Sequence, residues 1–318
     1  MTLYRDIISR ALTLSWRHRY LWFLAFFAAL AGNGGEYELA FSGSDSINGQ
    51  SYILGMLRAF YENGSLQQIA DNVRSFFGTY PIPSIFLALL FILVAVLVVW
   101  IVVVAQAALV WSVARIRDKG VAGFPEAFST GTKFFSPVFL LNVVTKAIIL
   151  GIIFIIALPL GMAYIRTGTT VYNSLYILTV FIALVPVTIV LSFIVKYASV
   201  YILVRNQPWR TALRNGWNLF MKNWLASIEV AFLLFAINLV TSLLLIFFLV
   251  LLGLITNPAG TIIFFAILTI FGAFLATFQY STWVLLFFEL EAGRARPRLL
   301  RWADKLIGKS AEPAPSIK

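Results

Sequence analysis

The sequence contains no cysteine and a single histidine, His18. Without cysteine there is neither a disulfide framework, nor a thiolate metal site, nor a thiol nucleophile. One histidine does not make a multi-histidine metal centre. The P-loop, HExxH and GxSxG motifs are also missing, and no apolar segment holds a pair of carboxylates. We therefore predict no catalytic site, no metal site and no cofactor.

Charge is scarce as well. Charged residues make up only 12% of the 318 residues and hydrophobic residues 61%, whereas a soluble domain carries about 25% charged residues. The uncharged segments 84–114, 167–195 and 230–255 exceed the roughly 20 residues that cross a bilayer. The composition predicts an all-α, polytopic transmembrane helical bundle.

Six spans are predicted from the apolar runs, near residues 18–33, 83–113, 136–164, 172–202, 224–254 and 261–289. The segments 1–20, 114–133, 205–222 and 290–318 would then share one side and hold 19 of the 24 lysines and arginines. The positive-inside rule places this side, and both termini, in the cytoplasm of a plasma membrane. The net charge of +11 is thus expected to meet anionic lipids of the inner leaflet rather than nucleic acid.

The first span leaves two alternatives open. Only residues 20–31 are continuously apolar, and Ala29-Leu30-Ala31 after a basic start resembles a signal-peptidase site. Cleavage there would leave five spans. We favour retention of the first span, because it follows a short sequence motif that recurs inside the chain.

The three copies of this motif are ALTLSW at residues 11–16, AFSTGT at 127–132 and ALRNGW at 212–217. Each copy precedes an apolar run, which predicts a single transmembrane domain over 1–292 built from three repeats of an interfacial helix and a transmembrane hairpin (1–118, 119–206 and 207–292). The plainer alternative is that amphipathic starts only help each hairpin to insert. Small residues recur at one position, Ser15, Gly131 and Gly216, and are expected to let each helix approach a neighbouring backbone closely.

The interfacial helices have predicted faces. In the first copy, an apolar face of Ile7, Ile8, Ala11 and Ser15 opposes a polar stripe of Asp6, Arg10, Thr13 and Arg17. The third copy is expected to begin with Asn206 as a cap and Pro208 in the first turn. Its basic face and a basic amphipathic tail at 293–318 predict inner-leaflet lipid contacts; these residues are Arg214, Lys222, Arg298, Arg301 and Lys305. The acidic segment 32–82 is predicted to be an extracytoplasmic loop.

Polar residues within the spans are candidates for function, since each is costly in lipid. Lys146 and Glu229 lie at comparable depth in the third and fifth spans, which predicts an intramembrane pair, either structural or part of a substrate or ion site. Lys196 is a secondary candidate, with snorkelling to the head groups as the alternative. Asn142 is another, with hydrogen bonding between helices as its alternative.

The segments RALTLSWRHRYLWFLAFFAALAGNGGEYE and PWRTALRNGWNLFMKNWL resemble bacterial six-span proteins related to the membrane domain attached to some glycerophosphoryl diester phosphodiesterases. The resemblance implies a membrane domain without the phosphodiesterase, whose catalytic histidines and acids have no counterpart here. Three function classes remain. The first is a non-enzymatic protein that organises lipids or protein partners. The second is a transporter or permease with a cavity between the three units. The third, favoured least, is a lipid-modifying enzyme.

Overall fold

A computed structural model describes residues 2–30, 81–167, 170–253 and 258–293, together with Asp71, Arg74, Ser75 and Gly78. The described chain is all-helical and contains no strand. Its helices are α1 (Thr2–Arg17), α2 (Tyr20–Ala29), α3 (Pro81–Lys119), α4 (Phe124–Lys133), α5 (Phe135–Thr167), α6 (Thr170–Arg205), α7 (Trp209–Lys222), α8 (Trp224–Leu251) and α9 (Pro258–Glu291).

Five of these helices, α3, α5, α6, α8 and α9, are long and apolar enough to cross a membrane. The chain is therefore a multi-pass integral membrane protein, and five of the six predicted spans correspond to such helices. The first predicted span corresponds to α2, whose 10 residues rise only about 15 Å against a hydrocarbon core of about 30 Å. Below, the inner end of a helix is the end predicted to face the cytoplasm.

The long helices expose apolar side chains as a membrane protein does. Along α3, every side chain from Leu89 to Trp100 is apolar and exposed. Acyl chains can cover such a surface without loss of hydrogen bonds, because all backbone groups are paired within the helix.

Each of the three short helices α1, α4 and α7 is followed almost at once by an apolar helix. The breaks are His18-Arg19 before α2, Phe134 before α5 and Asn223 before α8. One prediction about α7 is wrong. The helix begins at Trp209 with Pro208 in the N-cap position, whereas Asn206 lies in the linker with φ 51°, so it does not cap the helix.

The described chain forms two compact units. The first comprises residues up to 30, 104–137 and those from 196 onward. Within it, α1 and α2 both pack along α9. The rings of Trp16 and Trp22 lie 5.8 and 5.4 Å from that of Phe274, and the Trp22 Nε1–H donates to the Ser15 carbonyl over 2.8 Å. These contacts hold the break between α1 and α2 against α9.

In the same unit α4 packs against the inner half of α3. A Cβ atom added to Gly131 would lie 2.5 Å from the Val104 carbonyl oxygen and 3.1 Å from the Ala108 Cβ. Near the other end of α4, Glu126 lies 3.5 Å from Arg115. The two helices therefore run antiparallel, and the predicted close approach at the small residue is confirmed for Gly131.

The second unit comprises residues 31–103 and 138–195. Its part of α5 buries one stripe with a spacing of three or four residues, formed by Val138, Leu141, Thr145, Ile149 and Ile153. This is the spacing of a single helix face. Most of the predicted loop 32–82 and the whole tail from 294 lie outside the described residues, and so do Arg298, Arg301 and Lys305.

Candidate functional site

The inner ends of α3, α6 and α9 lie together in the first unit. The Tyr201 ring lies 4.8 Å from that of Phe287, and the Arg205 Nη2 lies 2.9 Å from the Glu291 Oε2. The partners differ by 86 residue numbers in both contacts, so α6 and α9 run parallel and in a fixed register. From α3, the Arg117 guanidinium lies 3.9 Å from the centre of the Phe288 ring.

Lys196, a secondary candidate from the sequence, also contacts α9 where the two parallel helices lie side by side. Its Nζ is 4.3 Å from the centre of the Trp283 ring, one turn along α9 from Phe287. The lysine is half-buried and Trp283 is buried. An ammonium over an indole face makes a cation–π contact. This contact keeps the Lys196 charge at the interface between α6 and α9.

A pair of buried hydroxyl groups joins α6 to α8 beside the interface of α6 with α9. Tyr197 and Ser227 are fully buried, and their hydroxyl oxygens lie 2.7 Å apart. The Ser227 hydroxyl also donates to the Asn223 carbonyl over 3.1 Å. Because a hydroxyl has only one proton, the Tyr197 hydroxyl is then the donor to Ser227. Asn223 is the break between α7 and α8, so this chain of hydrogen bonds positions that break.

The short helices bury the faces with small side chains and expose the basic faces. Ala11, Ser15, Ala127 and Ala212 have no exposed surface, and Gly131 and Gly216 are buried. Arg214 and Lys222, predicted to contact lipid, are exposed, as are Arg10 and Arg17. Each short helix therefore attaches through small residues and leaves its positive side chains at the surface.

Three arginines lie beside a tryptophan near the short helices: Arg19 just after α1, Arg115 on the part of α3 that packs against α4, and Arg210 on α7. The distances from guanidinium carbon to ring centre are 5.9 Å for Arg19 and Trp16, 5.7 Å for Arg115 and Trp111, and 5.2 Å for Arg210 and Trp209. Trp16 is 60% exposed, and Trp217 and Trp224 are exposed too. Tryptophan beside arginine is the usual composition of a membrane–water interface.

His18 lies in the break between α1 and α2, with its ring 6.2 Å from that of Tyr20. Partial burial, and after it the positive charge of Arg17, lower the pKa of His18 below its ordinary value of 6.5. The folded chain therefore holds His18 in its neutral form to lower pH than the unfolded chain does.

The predicted intramembrane pair stays a prediction. Lys146 lies in α5 within the second unit and Glu229 in α8 within the first, and both side chains are half-buried. Asn142, the other candidate in α5, donates from its Nδ2 to the Val138 carbonyl over 3.1 Å. This bond uses one of the two N–H donors of the amide.

The sequence did not indicate Trp283 and Ser227 as partners of polar side chains. A signal for the first was present. Residues 197, 201 and 205 of α6 and residues 283, 287 and 291 of α9 carry aromatic or charged side chains at intervals of four, which places each set on one helix face. Two such stripes, each ending in a charge of opposite sign, indicate neighbouring helices.

Among the described residues, no group of three or more histidine, aspartate and glutamate side chains is placed to hold a metal ion. Comparison with protein-family models, with curated proteins and with solved structures gives no match for this chain. The resemblance to the membrane domain of glycerophosphoryl diester phosphodiesterases therefore stays a prediction.

Proposed function

We propose that this chain is a non-enzymatic membrane protein that gathers anionic lipids of the inner leaflet around the inner ends of its helices. One observation carries the proposal: an arginine lies beside a tryptophan at the end of α1, on α7 and on the part of α3 that packs against α4. The indole ring anchors at the head-group level, and the guanidinium beside it binds phosphate with several donors.

The charge of the same segments supports this function. Residues 2–20, 114–133 and 205–222 hold twelve lysines and arginines against three acids, Asp6, Asp118 and Glu126. A basic residue near an anionic leaflet contributes about 1 kcal/mol of attraction. Three short helices with this composition would therefore concentrate anionic lipid.

The experiment compares lipids retained around the purified full chain in native nanodiscs. In the test variant, the arginines of the three pairs, Arg19, Arg115 and Arg210, are replaced by glutamine. In the matched control, Arg58, Arg74 and Arg166, all predicted to lie on the outer side, are replaced in the same way. We expect the ratio of phosphatidylglycerol to zwitterionic lipid to fall toward the bulk value in the test variant only. An unchanged ratio in the test variant, or an equal fall in both, would contradict the proposal.

A further inference from the structure

The corner between α7 and α8 exposes three large apolar residues. Trp217 and Met221 lie one turn apart on α7, and Trp224 is the first residue of α8. They are 45%, 53% and 52% exposed, so the protein leaves about half of each uncovered. We refer to these three residues, which all belong to the first compact unit, as the corner cluster.

The rest of the apolar face of α7 is already used for packing. A helix at a membrane surface usually turns its apolar face into the acyl chains, but the corresponding residues of α7 are buried in the protein: Ala212, Gly216, Leu219 and Phe220. Each residue advances about 100° around a helix. Trp217 and Met221 therefore lie about 60° and about 100° from Phe220, beyond the edge of the buried face.

The exposed surface of α7 has a polar side as well. Between residues 211 and 222, its other exposed residues are Thr211, Arg214, Asn218 and Lys222. They lie between about 60° and about 140° around the helix from Trp217. Arg210 shares the angular position of Trp217 but lies about 10 Å earlier along the axis. Basic side chains beside an apolar edge are typical of a helix at the level of the head groups.

Trp224 begins a stripe of exposed apolar side chains on α8. The next members follow at intervals of four, four, three and four residues: Ile228, Phe232, Phe235 and Leu239. This is the spacing of one helix face, and Glu229, about 140° around the helix from Trp224, lies outside it. The opposite face is buried. Because α8 is long and apolar enough to cross the membrane, the stripe faces acyl chains, and the corner cluster lies where the stripe begins.

Hydrogen bonds hold the corner in place. The Asn223 backbone N–H donates to the carbonyl oxygens of Leu219 and Phe220 over 3.1 and 2.9 Å. The Asn223 carbonyl in turn accepts from the Ser227 hydroxyl, which is bonded to Tyr197 of α6. The direction of α7 relative to α8 is therefore fixed, and so is the position of the corner cluster.

The repeated motif places a tryptophan at the same position twice. Trp217 is the last residue of the third copy and Trp16 the last residue of the first. Both are exposed, whereas the small residue before each of them, Gly216 or Ser15, is buried. The small residue allows close packing against the protein, and the next side chain then points away from it. Tryptophan concentrates at the membrane–water interface, which suits this position.

We propose that the corner cluster inserts among the acyl chains of the inner leaflet, just below the head groups, as an apolar wedge at the α7–α8 corner. Its partner is the hydrocarbon part of the lipid and not a particular head group. The inference therefore goes beyond the gathering of anionic lipid. Because burial of apolar surface does not depend on charge, insertion should persist in zwitterionic lipid and at high salt.

Spin labels on single introduced cysteines test the insertion. The chain has no cysteine of its own, so each variant of the full chain carries one label. Met221→Cys and Trp217→Cys label the corner cluster, and Thr211→Cys and Asn218→Cys are matched controls on the polar side. All four positions are exposed, and if one variant does not fold, the other of its pair carries the test. The protein is reconstituted in phosphatidylcholine vesicles at about 1 M salt, where the Debye length is about 3 Å.

Collisions of each label with oxygen, which concentrates in hydrocarbon, and with a water-soluble nickel chelate report its depth. We expect the labels of Met221→Cys and Trp217→Cys to lie about 5–10 Å below the phosphates, with more oxygen than nickel collisions, and both controls to show the reverse. Frequent nickel collisions at the corner cluster would place it in water and overturn the wedge. Few collisions with both reagents would also overturn it, because protein would then cover the cluster; spin–spin broadening would identify that protein as a second copy.

This experiment is independent of the proposed function, since it uses no anionic lipid. If the labels insert but the nanodiscs show no enrichment of phosphatidylglycerol that depends on Arg19, Arg115 and Arg210, the proposed function fails and the wedge remains. If the enrichment is found but the corner cluster collides mainly with the nickel chelate, the wedge fails and the proposed function remains.

Discussion

Gly131→Ala is a sharp test of how α4 is attached to α3. The added Cβ would lie 2.5 Å from the Val104 carbonyl oxygen and 3.1 Å from both the Val104 Cγ1 and the Ala108 Cβ. The nearest of these atoms belongs to the backbone of a long helix and does not move alone, so the two helices must separate. Overpacking of this kind costs about 1–3 kcal/mol.

The same substitution would stabilise an unobstructed helix. Alanine is favoured over glycine in a helix interior by about 1 kcal/mol. Gly272→Ala is the matched control, because an added Cβ in this glycine of α9 meets no atom within 4 Å. The measured quantity is the free energy of unfolding in mixed micelles titrated with a denaturing detergent. After subtraction of this gain, we expect Gly131→Ala to be less stable than wild type by up to about 2 kcal/mol and Gly272→Ala to be equal or more stable. A Gly131→Ala variant as stable as Gly272→Ala would refute the close approach.

Three further predictions concern single side chains. Tyr197→Phe should lower the free energy of unfolding by about 1 kcal/mol, with most of the loss disappearing in the Ser227→Ala background; additive losses would show that the two hydroxyls do not interact. For His18, the lowered pKa means that the unfolded chain binds more protons below pH 6.5, so stability should fall as the pH drops below 6.5 and stay level above it. His18→Gln should flatten that dependence, and a slope of the same size in the variant would count against it. Lys146→Ala should destabilise the chain and Glu229→Ala in the same molecule should recover part of the loss, whereas equal loss in the single and double variants would exclude the pair.

The long helices were predictable because hydrophobicity over more than 20 residues is enough to define them. The predicted span 83–113 lies within α3 (Pro81–Lys119), and the predicted span 261–289 lies within α9 (Pro258–Glu291). Hydrophobicity alone is not enough to define α2 as a span. Its apolar run of twelve residues does not specify by itself whether the chain crosses the bilayer, and the described helix of 10 residues reflects that short run.

Which face of a helix is buried was predictable only where polarity differs around the helix. In α1 the predicted face of Ile7, Ala11 and Ser15 is buried, whereas Arg10 and Arg17 are exposed. The long helices are apolar on all sides, and in lipid a leucine facing an acyl chain is as well solvated as one facing another helix. Their neighbours therefore depend on packing between helices distant in sequence, and only the aromatic and charged stripes of α6 and α9 give a sequence signal of it.

The individual partners of the candidate residues depend on the same packing. Lys196 was recognisable as a cation in an apolar run, but its contact with Trp283 depends on the parallel register of α6 and α9. Gly131 was recognisable as a small residue in a repeated sequence motif. Its close approach to the Val104 carbonyl could not be predicted from that motif.

Tryptophan quenching by brominated lipids tests the proposed gathering of anionic lipid most directly. Seven of the nine tryptophans, all except Trp100 and Trp302, lie in the short helices or toward the inner ends of the helices. The full chain is reconstituted with brominated phosphatidylglycerol or brominated phosphatidylcholine at equal mole fraction in otherwise identical vesicles. We expect brominated phosphatidylglycerol to quench more strongly, with the difference shrinking as salt is added. Equal quenching by the two lipids at low salt would contradict the account.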